Sequence, residues 1–383
     1  MGTITRNFAN NIVTGGKVDG TDGLTGTIPA SNVANDTLGN LTAFPATVGD
    51  FVETTASDVP ASPSTAGQLF YNSTSGTLKG IRNIGGAISS GGNLNTGRRT
   101  LAGAGTQTAG IAIAGGPPSV TDVEEYDGST WTSATGIPTA TQQMGAGGTQ
   151  ASAIAFGGQV VPPFAVIQNE TYEYNGSSWT SGGNLGTGRY NLAGCGTQTA
   201  ALATGGTTVN PSPPPNFKGR NLTEEYGGSS WTSGGTYPIE TTGIRTAGTQ
   251  TAALGVGGSQ FGAWIVSAAN EYDGSSWTSG GSMSQQNTEG GVSGIQTAAI
   301  YAGGFGGPSA PTSTTRDRIE IYNGTAWTTQ PATLTIARSD LAASNSGPTT
   351  QTMFFGGPSP LGADTLTEEW NDPTYAVQTL TTS

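Results

Sequence analysis

"EYDGSSWTSGG" occupies Glu271–Gly281, and close copies begin at Glu125, Glu173 and Glu225, with a looser one at Glu320. The tryptophans anchoring the copies, Trp131, Trp179, Trp231, Trp277 and Trp327, are 48, 52, 46 and 50 residues apart. Inside the phrase stands a two-residue turn: Asp127-Gly128, Asn175-Gly176, Gly227-Gly228, Asp273-Gly274 or Asn323-Gly324. Asp-Gly and Asn-Gly suit a type I′ turn, which needs positive φ at both central residues. The phrase therefore predicts a β-hairpin written five times. Asn371-Asp372-Pro373 replaces the turn in a sixth copy and predicts a different connection there.

Working outward, an apolar stretch precedes each hairpin and ends in paired glycines, at 115–116, 157–158, 205–206, 257–258, 303–304 and 356–357. A span of variable length follows, then an acidic residue and an aromatic: Tyr126, Tyr174, Tyr226, Tyr272, Tyr322 and Trp370. Two more strands flank "GTQTA", as at Leu192–Gly196 and Ala200–Thr204. Six units of four short strands thus run between roughly 91 and 375.

A four-stranded sheet of this size cannot bury both faces alone. Radial packing lets each sheet cover its neighbour, which predicts an all-β propeller of four-stranded blades. The paired glycines are expected where inner strands crowd the axis. The repeated Tyr and Trp are expected to fill the wedges between blades. Composition agrees: 63 glycines, seven Trp, eleven Tyr and eleven Phe among 383 residues, with only 10% charged.

The blade count depends on the ends. Residues 68–90 read as a three-strand version of the unit with Ile88 at the Trp position, and Tyr375 takes that position in a C-terminal strand. Counting both gives seven blades, which leaves fewest strands unpaired. Six result if the N-terminal strand closes the last blade. The predicted domains are a segment at 1–67 and a propeller at 68–383. The segment is Gly-, Pro-, Ser- and Asn-rich, and is expected to order by trimerising or by docking on a larger assembly.

Charge and composition exclude several functions. The net charge is −12 and no Lys/Arg cluster exists, which argues against nucleic acid as a partner. Histidine is absent, which excludes imidazole metal sites and His-based catalysis. The single Cys195 excludes an internal disulfide and reads as a small buried filler. No metal or cofactor is expected. "MGTITRNFANNIVTGG" carries no apolar signal region, and no apolar run approaches the ~20 residues of a membrane helix, so no membrane insertion is expected.

The order of apolar strand, Gly-Gly, loop, Glu-Tyr and Trp resembles the kelch repeat of β-propellers and covers about three-quarters of the chain. "LTGTIPASNV" and "GQLFYNSTSGTLKG" resemble the N-terminal attachment regions of bacteriophage tail-fibre proteins. Together these resemblances imply a virion protein, assembled in the host cytoplasm and exposed on the released particle. Residues 1–67 would attach it to other virion proteins, in a homotrimer or otherwise. The propeller would bind a host surface, a polysaccharide or a protein. Two alternatives are a capsid-decoration or tail component with no receptor role, and a glycan depolymerase.

The kelch resemblance also includes copper oxidases that use His, which this chain lacks. Sialidase-type propellers carry "S-x-D-x-G-x-T-W", whereas Asp and Gly are adjacent here. The glutamates beside the aromatics, Glu125, Glu173, Glu225, Glu271, Glu320 and Glu369, recur in every unit, which suits structure better than one active site. No catalytic residue is assigned, and the expected function is non-enzymatic binding. Arg98, Arg189, Arg245 and Arg338 also recur, with Gln143 and Asn287 in related places. They read as struts to a neighbouring blade, or else as an axial anion-binding ring. The spans between Gly-Gly and Glu-Tyr diverge in length and content. Divergent loops on a rigid frame are how binding faces are built. The candidate ligand contacts in them are Phe164, Phe217, Arg220, Phe261, Trp264, Phe305 and Arg316.

Overall fold

The computed structural model describes residues 53–61, 68–83, 86–161, 166–209, 217–260, 264–306, 314–358, 365–372 and 375–379. They fall into two units, one from residues up to Gly86 together with Pro373–Ser383, the other spanning Ala87–Asp372.

The second unit is a β-propeller of six four-stranded blades. Blade 1 is built from Ala102–Thr106, Ala109–Ile113, Val123–Tyr126 and Trp131–Ala134, all antiparallel and numbered here from the axis outward. The inner strands of blades 2 to 5 are Gly145–Thr149, Ala193–Thr197, Arg245–Thr249 and Gly291–Ile295, and their outer strands begin at Trp179, Trp231, Trp277 and Trp327. Blade 6 takes Ala342–Ala343, Gln351–Phe355 and Thr367–Asn371 from the end of the unit, and its outer strand, Ala87–Ser90, from the beginning. Each inner strand neighbours the next, and the sixth neighbours the first, so the ring is closed.

Of the two blade counts the ends allowed, six is found, with the N-terminal strand closing the last blade. Ile88 does stand at a Trp position, but in blade 6, where it pairs with Trp370. Tyr375 does not belong to a blade. Leu69–Asn72 and Thr77–Asn83 form a hairpin whose long strand pairs with Tyr375–Thr379, while Glu53–Thr55 runs parallel on the other edge. The propeller therefore begins at Ala87 rather than residue 68. Lys79 and Asp58 make an ion pair of 2.6 Å within that first unit. Apart from 53–61, the proposed attachment segment 1–67 lies outside the described residues.

The repeated hairpin is present in five blades, with Tyr126↔Trp131, Tyr174↔Trp179, Tyr226↔Trp231, Tyr272↔Trp277 and Tyr322↔Trp327 in register. Its turn is not type I′, because only the glycine has positive φ (Gly128 +94°, Gly274 +89°). The preceding Asp or Asn instead turns its side chain onto the backbone. Asp273 Oδ1 accepts from the amides of Ser275 and Ser276 at 2.9 and 2.7 Å. That Asx capping supplies the bend without a second left-handed residue.

The paired glycines are also explained differently. They end the second strand, not the inner one. Gly303 and Gly304 have φ of +66° and +99°, and a Cβ on them would meet the carbonyls of Arg338 and Thr288 at 2.8 and 2.7 Å. They let the chain turn under the connection between blades. Blade 1 uses Ala114 and Gly115 at these places, with φ of +55° and +113°.

The core lies between blades and is apolar: Ile111, Ile154, Leu202, Leu254, Ile300 and Phe354 of the second strands are all fully buried. Cys195 is fully buried among them, and burial pushes its thiol up to about 12.

Candidate functional site

The repeated phrase is the joint between blades. In each of five junctions the Tyr hydroxyl of one blade donates to a Glu of the preceding blade: Tyr126 to Glu369, Tyr174 to Glu125, Tyr226 to Glu173, Tyr272 to Glu225 and Tyr322 to Glu271, at 2.5–2.9 Å. Burial, reinforced by the carboxylate acceptor, pushes each of these phenols up to about 12. The Trp ring packs on the same Tyr, with centroids 4.8–5.1 Å apart. The final Gly-Gly seats on the next blade's turn: a Cβ on Gly235 would lie 2.1 Å from the Ser275 carbonyl.

"GTQTA" has a role that sequence reading missed. Gln107, Gln150, Gln198, Gln250 and Gln296 each donate Nε2 to two carbonyls of the preceding blade, as Gln250 does to Ala201 and Tyr226 at 3.0 and 2.7 Å. Its recurrence was the available signal.

Three of the four arginines are buried struts. Arg98, Arg189 and Arg338 pair with Glu124, Glu224 and Glu368 at 2.8, 2.8 and 2.6 Å and donate to backbone carbonyls nearby. The struts hold the blade they enter, not a neighbour's, and the partner Glu stands two residues before the aromatic rather than one. Asn287 fills the strut place in blade 5 and donates to the Gly303 carbonyl. Glu320, two residues before Tyr322 rather than beside it, accepts there from Ser284.

Arg245 and Gln143 are not struts. They belong to the mouth of the central axis. Six residues, one before each inner strand, form a closed ring of backbone hydrogen bonds: Thr100, Gln143, Asn191, Gly243, Glu289 and Asp340. Each N–H donates to the carbonyl of the ring residue before it, and Thr100 closes the circle onto Asp340, all at 2.8–3.1 Å. All six have φ between +50° and +66°. Only Gly243 takes this conformation freely; the other five are held in it by the ring. The ring residues share no side-chain type, so no sequence signal marked them.

A cavity of about 70 Å³ lies against this ring, between the inner strands. Blade 6 supplies its floor. Gly356 lies sixteen positions after Asp340, against fourteen from Glu289 to Gly303, and the longer turn crosses the axis. Asn345 donates to the carbonyls of Ala146 and Gly194 at 2.9 and 3.3 Å. Ser346, one residue deeper, is bound to Gly105 and Gly148.

The polar groups at the mouth are unevenly satisfied. Asn191 Nδ2 donates to Glu289 Oε1 at 3.1 Å, across the place where Gly243 has no side chain. Arg245 donates Nε to the Gly290 carbonyl at 2.7 Å and forms no ion pair with Glu289 or Asp340 among the described residues. Burial and the neighbouring Glu289 push the Asp340 carboxyl up to about 7, against the pull of Arg245 and Arg99.

Around the mouth, blades 2 to 5 extend two-stranded ribbons from the variable spans: Gln159–Val160 with Val166–Ile167, Thr207–Val209 with Phe217–Gly219, Ser259–Gln260 with Trp264–Ile265, and Phe305–Gly306 with Thr314–Thr315. Bridges such as Thr288↔Phe305 fix them to the connections that carry the ring. Phe217 and Trp264 open ribbon strands, and their side chains lie outside the described residues, as do Phe164 and Phe261 entirely. Arg220 donates Nε to Thr208 Oγ1 at 2.7 Å, bracing its ribbon. Phe305 and Arg316 are half-buried on the blade 5 ribbon. These residues are distributed over separate ribbons and do not meet in one cluster.

No family model matches the chain, and no curated protein does. Solved structures do match. One titled "Structure of YjhT" aligns over 76% of this chain and 100% of its own, with a TM-score of 0.61 at 14% identity. At that identity the likeness concerns the propeller fold alone.

Proposed function

We propose that this chain is a non-enzymatic binding protein of a virion, a tail fibre or related appendage, that presents the ribbon-bearing face of its propeller to a glycan on a host surface. The observation that carries the reading is the contrast between frame and ribbons. Joints, struts and turns repeat from blade to blade, whereas the four ribbons differ in sequence and stand together around one mouth. Rigid strands hold them in place, which lowers the entropy lost on binding. Several copies on one particle would make weak individual sites sufficient.

A binding role without chemistry is supported by the occupation of the glutamates. Glu125, Glu173, Glu225, Glu271 and Glu369 accept the interblade Tyr hydroxyls, and Glu320 accepts from Ser284, so all six serve the frame. The phage assignment rests on the kelch-like repeat and on the resemblance of 24–33 and 67–80 to tail-fibre attachment regions. Gold-antibody labelling of intact particles in the electron microscope tests it. Gold at distal fibres is expected. Gold over the capsid would assign a decoration role instead, and no gold on any particle would overturn the virion reading.

A further inference from the structure

We propose that the axial cup of the propeller is a subsite for one electrically neutral sugar residue, gripped by its hydroxyl-bearing edge. The inference rests on the glycan-binding reading above and adds where a single residue is held.

The argument begins with charge. The mouth sets an acid, Asp340, and a guanidinium group, Arg245, against one cavity, with the Glu289 carboxylate on the ring beside them. An anion would meet the Glu289 carboxylate and a cation would meet the Arg245 guanidinium group. A neutral ligand meets neither penalty.

The hydrogen-bonding capacity left over is of both kinds. No described residue donates to the Asp340 carboxyl group or to Glu289 Oε2, which leaves acceptors. Arg245 uses Nε and one proton of an η nitrogen on the Gly290 and Ile244 carbonyls, and its other η protons are uncommitted. Gln143 accepts through Oε1 from Gln159 at 2.5 Å, which leaves its Nε2 as a donor. A hydroxyl is donor and acceptor at once, so neighbouring hydroxyls satisfy carboxylate and guanidinium together. A ligand with donors only, or acceptors only, leaves half of these groups unpaired in a partly buried place.

Size limits the occupant. About 70 Å³ holds several waters, and so the edge of one sugar residue rather than a chain. The Asn345 floor stops a chain from threading the axis.

Saturation-transfer NMR on the full-length protein tests this, with D-glucose, D-galactose and N-acetyl-D-glucosamine as neutral probes. D-glucuronate and D-glucosamine serve as charged counterparts. Transfer to at least one neutral sugar is expected, with the charged analogues at least tenfold weaker. Asp340→Asn, Arg245→Gln and Gln143→Ala, each checked for an intact melting transition, are expected to weaken it at least tenfold. Ser133→Ala, exposed on the outer strand of blade 1, should leave it unchanged. Absence of transfer to every neutral sugar, preference for a charged one, or indifference to all three cup variants would overturn the subsite. Polysaccharide binding by the wild type, measured in parallel, separates the two claims. If the polymer binds and the cup variants bind it equally well, the subsite fails while the glycan-binding reading stands.

Discussion

The hydroxyl of Tyr272 in blade 4 donates to Glu225 Oε1 in blade 3 at 2.5 Å, and the same bond recurs at four other junctions. A hydrogen bond to a charged acceptor contributes about 1.5–3 kcal/mol, less where the acceptor is half in water. Tyr272→Phe is therefore expected to lower stability by about 1–2 kcal/mol. At about 2–4 °C per kcal/mol, that is a fall of several degrees in Tm. Glu225→Gln keeps an acceptor and should cost less. Differential scanning calorimetry of both variants checks the order.

The junction between blades 5 and 6 breaks the pattern on both sides. Trp370 replaces the Tyr, Ile321 stands where the preceding blade would offer Glu, and both lie in one apolar cluster. Ile321→Glu alone should be destabilising by about 2 kcal/mol, because it places a carboxylate against that cluster without the Tyr hydroxyl that donates at the other junctions. Combined with Trp370→Tyr it should regain part of the loss, giving a coupling of about 1 kcal/mol in a double-mutant cycle. Strict additivity in urea melts would show that the two positions do not communicate.

The axial ring holds Thr100, a β-branched residue, at φ +54°. A non-glycine residue in this region costs about 1–2 kcal/mol, and glycine returns about 0.5–1 of that through the unfolded chain. Thr100→Gly is expected to be neutral or stabilising by up to about 1 kcal/mol. Gly243→Ala at the equivalent ring position should be destabilising, since its Cβ would lie 2.4 Å from Thr288 Oγ1. Opposite signs for the two changes in thermal melts are the expected result.

Asp340 supplies a pH dependence. Its carboxyl is raised to about 7 by burial and by Glu289, with Arg245 and Arg99 opposing. The folded state therefore holds a proton that the unfolded chain, with a carboxyl near 4, releases. Stability from this group is full below about pH 4 and declines as pH rises through 7. Asp340→Asn should raise Tm at pH 8 by several degrees and change it little at pH 4. The opposite pattern would mean that the Arg245 and Arg99 charges dominate the site.

Much of this fold was legible in the sequence because its units bury the same surfaces six times. The Tyr-Trp hairpin and the second strand follow from the repeat, whereas the spans read as divergent loops carry two-stranded ribbons in blades 2 to 5. The blade count stayed open between six and seven, because Ile88 offers only one apolar side chain as the signature of the strand that closes blade 6. Arg245 was misread for a physical reason. Its distance from Trp231 runs through a connection of variable length, so counting could not separate the strut place at Thr241 from the inner strand. The axial site was hidden more deeply. Its ring is built from backbone conformation, with Thr, Gln, Asn, Gly, Glu and Asp in equivalent places, and its floor from a turn only two residues longer than its counterparts.

The measurement that tests the central claim most directly is binding of the labelled full-length chain to an array of bacterial surface polysaccharides. It should be made beside a variant whose 207–219 ribbon is replaced by the short 259–265 ribbon. The account predicts wild-type binding to a small set of related glycans, reduced at least tenfold in the variant while its melting temperature is kept. Wild-type binding to no glycan, or equal binding by a folded variant, would contradict it.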